Sequence, residues 1–437
     1  MKSFLVFMEK YFLPVSAKIG GQRHLVAIRD SFAVAMPLVL VGSFAVLLNN
    51  IWDALDKLFG TSMKAGLQNT VPWFFELNGM IWWGTFAIFS LFMVIAVAYR
   101  LAKSYDQDGI LAGVISLSAF VIQLPQLREI NGQASWGFIS VADLGVTSLF
   151  AAIIIAIVAT EIYVKLIKMN FTITMPDSVP PAVARAFTSI IPGAIVLYLF
   201  GTIALVLSKN TMHIAGIEIT NLISLIGALV QAPFMSLGQN LFTILIISLF
   251  IPLFWFTGLH GANIMGPVIN TVYLPAVLEN ANALQQGVAM PNLWTSVSWD
   301  VFVHMGGSGA TLALILAIYM VSKRDDYRAV AKVSLAPGIF MINEPVIFGL
   351  PIVLNPIIFI PFIINPVILT LIAYFATAIG LVPATSVIVP WTTPPVLGAF
   401  IATGGSISAS ILALFNFILA IVMYIPFVML ANSTKLK

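Results

Sequence analysis

AAIIIAIVAT, residues 151–160, carries no charged side chain and is apolar on every face of a helix drawn through it. A strand of a membrane barrel alternates apolar and polar positions; this run does not, so it reads as a buried or lipid-embedded helix. Worked outward, the apolar stretch covers 141–163, enough at 1.5 Å per residue to cross a hydrocarbon core of about 30 Å.

Similar stretches recur along the chain. Spans are expected near 31–52, 79–100, 109–127, 141–163 and 184–208, then near 237–257, 262–276, 301–322, 353–379 and 407–431. The expected fold class is therefore an all-α polytopic membrane protein of about ten transmembrane helices. Composition agrees: of 437 residues, 20 are Lys or Arg and 17 are Asp or Glu, so 8% are charged and 60% are apolar. A soluble domain carries about a quarter charged residues, and this chain lacks the polar surface to be one. Cysteine is absent, which excludes disulfides, thiolate metal sites and covalent sulfur chemistry on this chain.

Lys2, Lys10, Lys18, Arg23 and Arg29 are spread through an amphipathic first segment, which reads as a retained interfacial start rather than a cleaved signal. An even number of spans puts both termini on one side. With the N-terminus in the cytosol, sixteen of the 20 basic residues are cytosolic and only Lys57, Lys64, Arg128 and Lys209 are not. The positive-inside rule therefore favours cytosolic N- and C-termini.

Two stretches fit no span: 333–352 (VSLAPGIFMINEPVIFGLPI) and 381–404 (LVPATSVIVPWTTPPVLGAFIATG). Nine of the 24 prolines fall in 345–395. Backbone freed by Pro is tolerated at membrane depth only where it is buried in protein or lines a wet cavity. Both stretches read as re-entrant hairpins, and such interruptions point to a transporter's binding site. The chain is thus expected to comprise a five-helix half with its amphipathic start (1–208), a connecting segment (209–236) and a site-bearing half with the hairpins (237–437).

Glu344 is the only charged residue between Lys332 and Lys435. A carboxylate there needs a function or a partner; Pro345 behind it also suits the first turn of a half-helix, where a carboxylate would be favoured. His260, in TGLHGANIMGP (257–267), can donate and accept hydrogen bonds, as a hydroxyl-rich ligand requires, although a lone buried His is often satisfied within the protein. HMGGSGATL (304–312) offers Gly306, Gly307 and Ser308 as a turn whose backbone can approach a ligand, or as close helix packing; no Walker lysine follows, so a nucleotide site is not expected. Trp391, Thr392 and Thr393 place an indole beside two hydroxyls, suited to a sugar ring or to an interfacial anchor. Asp325 and Asp326 read as a solvated cytosolic loop, and Trp82 and Trp83 as an interface belt. Four scattered histidines and no close carboxylate pair give no metal site and no two-carboxylate glycosidase. No basic groove for nucleic acid is present.

Together GLHGANIMGP, HMGGSGATL, INEPVIFGLP and WTTPP resemble the membrane-embedded IIC component of the bacterial sugar phosphotransferase system, in its lactose, cellobiose and chitobiose branch, with the nearest likeness to a diacetylchitobiose type. The resemblance implies a cytoplasmic-membrane permease without cofactor that forms homodimers through its N-terminal helices and works by elevator-type alternating access. It implies a β-linked disaccharide substrate whose 6-hydroxyl is phosphorylated by a phosphocysteine on a separate IIB subunit, supplied by IIA, HPr and enzyme I. It also implies Glu344 and His260 as the residues at that hydroxyl, with Asn263, Asn343, the 306–308 turn and Trp391 to Thr393 lining the cavity. From the residues alone, an ion-coupled sugar symporter with Glu344 as proton site stands beside this reading. An intramembrane glycosyltransferase or hydrolase would want more carboxylates.

Overall fold

The computed structural model describes residues 21–130, 133–137, 139–176, 178–214, 217–256, 260–350, 352 and 357–433. Most of the N-terminal amphipathic segment, the terminal lysines Lys435 and Lys437, and the first three residues of TGLHGAN lie outside them. Among the described residues the regular secondary structure is helical apart from two short hairpins, Leu127–Ile130 with Gln133–Trp136 and Met212–Ile214 with Ile217–Ile219, both antiparallel. Five helices among the described residues are long and apolar enough to cross a membrane: Arg23–Trp52, Val146–Lys168, Pro181–Lys209, Phe359–Ala378 and Ile407–Asn432. They fall on five of the expected spans, and the protein is an all-helical polytopic membrane protein.

Two compact units are formed. One comprises Gly21–Val39 and Trp82–Ser236; the other comprises Leu40–Ile81 and Leu237–Lys437.

In the first unit, Phe89–Lys103, Gly109–Ile122, Leu149–Lys168 and Ile190–Lys209 pack together. Gly109 sits against Tyr99, where a Cβ would come within 2.6 Å of the ring. Several expected spans are interrupted here for local reasons. The stretch 79–100 breaks over 84–88, because helix Phe89–Lys103 starts where the Ser90 amide donates to the Leu144 carbonyl (2.9 Å) and its hydroxyl to the Gly145 carbonyl (2.6 Å). The stretch 109–127 is helical only to Ile122. Gln123 then spends its side chain on the Phe200 carbonyl (2.9 Å), and Pro125 supplies no amide to continue the ladder. Fourteen residues make about 21 Å of helix. The expected connection 209–236 is itself largely structured: after its hairpin, Asn221 and Ser224 form a reciprocal cap that starts the helix at Leu222.

The second unit carries Leu241–Phe256, Gly261–Gln285, Thr311–Val321, Phe359–Ala378 and Ile407–Ser433. Leu241–Phe256 packs on Phe359–Ala378, and Thr311–Val321 on Ile407–Ser433. The expected span 301–322 is broken into Ser296–Phe302 and Thr311–Val321, because Gly306 (φ +85°), Gly307 (+104°), Gly309 (+82°) and Ala310 (+57°) hold left-handed backbone that no α-helix contains. Both Pro- and Gly-rich stretches turn back on themselves. Asp325–Ile339 and Glu344–Gly349 flank a turn at Met341 (φ +67°), so Asp325 and Asp326 head a helix instead of lying in a loop. In the other, the Ser386 and Val387 amides donate to the Ala402 carbonyl at 2.9 and 3.0 Å, joining the stretch's two ends.

Candidate functional site

Four separate segments of the second unit meet at a cavity of about 390 Å³. The first is the facing pair of helix ends, Phe256 and His260–Gly261, where a Cβ on Gly261 would run into the Ile251 carbonyl oxygen, so only glycine allows the close approach. The His260 ring lies 4.3 Å from that of Trp255. The second segment is the broken span, which supplies Asp300, His304, Gly307 and Ser308. The third is the turn before Glu344–Gly349, with Met341, Asn343 and Glu344; the fourth contributes Trp391.

Glu344 opens its short helix with Pro345 behind it, as expected of a half-helix start. Its Oε1 stands 3.8 Å from His260 Nε2, and the two side chains remain 45% and 42% exposed, so their polar ends face the cavity rather than a dry interior. Asn343, by contrast, is buried and donates through Nδ2 to the Ser308 carbonyl (3.3 Å), locking the 306–308 turn to the Glu344 turn. The same contact requires Gly307, where a Cβ would lie 2.7 Å from the Asn343 side chain. Gly306 donates its amide to Met341 Sδ (3.2 Å) and does not line the wall.

Of the residues singled out from sequence, the structure gathers His260, Gly307, Ser308, Asn343, Glu344 and Trp391 on one cavity. Thr392 and Thr393 are not on it, and the Thr393 hydroxyl is spent on the Pro390 carbonyl (2.7 Å). Asn263 belongs to helix Gly261–Gln285, but its side chain lies outside the described residues. Sequence reasoning missed Trp255 and Asp300 as wall residues, and quoted His304 only as part of the Gly-rich motif 304–312. Asp300 and His304 form a second carboxylate–imidazole pair, Oδ1 to Nδ1 3.9 Å, with His304 only 8% exposed and its Nε2 without a hydrogen-bond partner among the described residues. The four-residue spacing of an Asp and a His just before a Gly-rich turn was the available signal.

Chemically, the cavity offers two imidazoles, two carboxylates, an amide and two indoles, and no Lys or Arg among its wall residues. It suits a neutral, hydroxyl-bearing ligand: the indole faces can cover ring C–H groups while the carboxylates and imidazoles bond hydroxyls.

Comparison with known proteins narrows this chemistry. The family model described as "Phosphotransferase system, EIIC" matches residues 29–366. The chain belongs to the phosphotransferase system EIIC family. Among its relatives, the cellobiose-specific EIIC component of Geobacillus stearothermophilus is 39% identical, over 100% of this chain and 96% of that protein. The cellobiose-specific EIIC component of Lactococcus lactis subsp. lactis (strain IL1403) is 37% identical, over 100% and 99%. In three dimensions this EIIC is similar to the crystal structure of the transporter ChbC, the IIC component of an N,N'-diacetylchitobiose-specific phosphotransferase system, with a TM-score of 0.86, 37% identity, and coverage of 98% of this chain and 97% of that one. The cavity of this EIIC thus sits in a fold shared along its whole length with disaccharide-named IIC components.

Proposed function

We propose that this EIIC binds a β-linked disaccharide of the cellobiose and diacetylchitobiose class in the cavity around Glu344 and His260, carries it across the cytoplasmic membrane, and presents its 6-hydroxyl to a phosphorylated IIB subunit. The observation that carries the reading is the Glu344–His260 pair, 3.8 Å apart and open to a cavity walled by Trp255 and Trp391. In the transfer, the 6-hydroxyl oxygen attacks phosphorus, the phosphorus–sulfur bond of the IIB phosphocysteine breaks, and the hydroxyl proton passes to Glu344. Catalysis of this kind rests mostly on positioning, with the carboxylate as general base. A chain without cysteine fits a division of labour in which the donor thiol belongs to a partner. The phosphorylated product carries about two negative charges and is repelled from the carboxylates of the cavity, which gives uptake its direction without an ion gradient. The reading carries with it a homodimer, alternating access of the site and cytosolic termini.

Its test is equilibrium binding of radiolabelled cellobiose to the purified protein, with diacetylchitobiose and lactose as competitors and Glu344→Gln beside wild type. Saturable binding without sodium or a pH gradient, weakened by the substitution, is expected. Binding that demands sodium or a proton would instead make this an ion-coupled symporter.

A further inference from the structure

Outside the sugar cavity, the most concentrated charge in the first unit lies where three elements converge: the start of helix Arg23–Phe59, the turn after Phe89–Lys103, and the last two turns of Leu149–Lys168. A second cavity of about 390 Å³ opens there, with Tyr105, Glu161, Lys165 and Lys168 on its polar side and Ile162 and Met169 on its apolar side. Glu161, Lys165 and Lys168 are four and three residues apart and so share one helix face. The Arg23 guanidinium lies 4.1 Å and the Lys168 ammonium 4.4 Å from the centroid of the Tyr105 ring.

Among the described residues the charges do not balance. Glu161 is the carboxylate of the cavity wall, and its Oε1 is already taken by the Tyr105 hydroxyl (2.6 Å) and His24 Nε2 (2.8 Å). Arg29 and Arg185, elsewhere in the unit, are matched by Asp30 (2.8 Å) and Asp108 (3.3 Å). No carboxylate of the described residues forms an ion pair with Arg23, Lys165 or Lys168. The helix dipole accounts for two lysines in the last turn of a helix, but it opposes Arg23, a cation in the first turn of another. Lys165 and Lys168 therefore stand on the cavity wall with no carboxylate partner among the described residues, and Arg23, on the Tyr105 ring, adds a cation that its own helix dipole opposes. Exposed Met169 and Phe171 put an apolar surface beside them.

We infer that this cavity is a binding site for a phosphate-bearing anion, held by Lys165 and Lys168 of its wall with the charge of Arg23 beside Tyr105 adding to the local field, and with the headgroup of an anionic phospholipid as its source. Basic pockets at membrane-facing helix ends take lipid headgroups for this reason: the cations meet the phosphate while the acyl chains run along the adjoining apolar wall.

The test uses the purified full-length protein in detergent, titrated separately with dioleoylphosphatidylglycerol, dioleoylphosphatidylcholine and inorganic phosphate, and read by thermal-melt midpoint and by native mass spectrometry. Phosphatidylglycerol is expected to bind wild type about thirtyfold more tightly than Lys165→Gln/Lys168→Gln, with phosphatidylcholine indifferent to the substitution. Lys165→Arg/Lys168→Arg keeps the charge and is expected to keep the binding, and Lys323→Gln/Lys332→Gln, which removes the same charge from the other unit, is expected to change nothing. Inorganic phosphate binding with the same dependence on Lys165 and Lys168, and phosphatidylglycerol no better than phosphatidylcholine, would support the anion site with a soluble source. The inference is overturned if no probe distinguishes wild type from the Gln variant, or if the Lys323 and Lys332 variant loses as much.

Discussion

His260 Nε2 stands 3.8 Å from Glu344 Oε1. That is too long for a hydrogen bond between the two, and it is a separation at which one oxygen at about 2.8 Å can bond both. A sugar hydroxyl placed there would donate to the carboxylate and accept from the imidazole, the geometry a 6-hydroxyl needs before it loses its proton. The pair is held apart by independent supports: the Trp255 ring against His260, and the Asn343-to-Ser308 bond beside Glu344.

If Glu344 is the base, binding and chemistry must separate in its variants. Glu344→Gln retains a hydrogen-bonding side chain, so affinity for the disaccharide should fall only about tenfold, as for the loss of one charge-assisted hydrogen bond. Phosphotransfer from phospho-IIB should fall by about 10² to 10⁴, the worth of a positioned general base. Parallel binding and single-turnover phosphorylation measurements decide it. Equal losses in both would leave Glu344 as a binding group only.

The Gly-rich turn makes a sharper steric prediction. Gly307 has φ of +104° and its absent Cβ would lie 2.7 Å from Asn343, so Gly307→Ala must strain the backbone and push Asn343 away from Ser308. A cost of about 1–3 kcal/mol is expected from the backbone alone, together with loss of disaccharide binding. Gly66 is the control: it lies inside helix Met63–Thr70 with nothing within 4 Å of a Cβ, so Gly66→Ala should be neutral or slightly stabilising. Melting midpoints of the two variants in the same detergent make the comparison.

How much of this was legible beforehand depended on whether the deciding force was local. Apolar runs such as 151–160 became long helices because nothing within them competes with helix formation, and 407–431 stayed helical even through Pro426. The candidate cavity was half legible: Glu344 and His260 stood out as polar groups stranded in apolar sequence, and Gly307 and Asn343 came with their motifs. His304 came with the same motif as Gly307, but Trp255 and Asp300 did not stand out, because each lies inside or beside a run that reads as an ordinary span. What brings Asp300 and His304 to the cavity is the break at 303–310, fixed by contacts distant in sequence: Tyr424 donates to the Gly309 carbonyl (2.5 Å), and a Cβ on Gly309 would strike Phe362. Thr392 and Thr393 were attractive by composition, yet the Thr393 hydroxyl is consumed within its own turn.

A pH dependence is expected from Asp56, outside the spanning part of its helix. Burial alone would raise its pKa, but the Lys64 amide, the Thr61 hydroxyl and the Met63 amide, aided by the Lys64 charge, hold it below the ordinary carboxylate value. A depressed carboxylate contributes stability that is complete above its unfolded pKa, about pH 4, and is lost as the pH falls through the lower folded value. Because Asp56 reaches across to the start of helix Met63–Thr70, with 2.6 and 3.0 Å bonds to the Met63 and Lys64 amides, that helix should loosen first. Hydrogen exchange over 63–70 should rise on acidification in wild type. In Asp56→Ala it should be high already at neutral pH, and no acid-induced rise in wild type would remove this role.

Asn416 offers a prediction away from the cavity wall. It is fully buried and donates to the carbonyls of Phe302 (2.9 Å) and Leu369 (3.3 Å). Phe302 is the last residue of helix Ser296–Phe302, whose carbonyl has no helical amide to meet because the chain turns away into the Gly-rich break. Asn416→Leu keeps the volume roughly and leaves that carbonyl unsatisfied, at a cost of about 1–3 kcal/mol. Asn416→Asp should be worse, since a carboxylate beside two carbonyl oxygens is repelled by both and can bond them only if protonated. As Asp300 and His304 flank Phe302, both variants should weaken disaccharide binding although residue 416 touches no part of the cavity. Melting and binding measured together check this: a lowered midpoint with unchanged affinity would show that the 303–310 turn holds its geometry without Asn416.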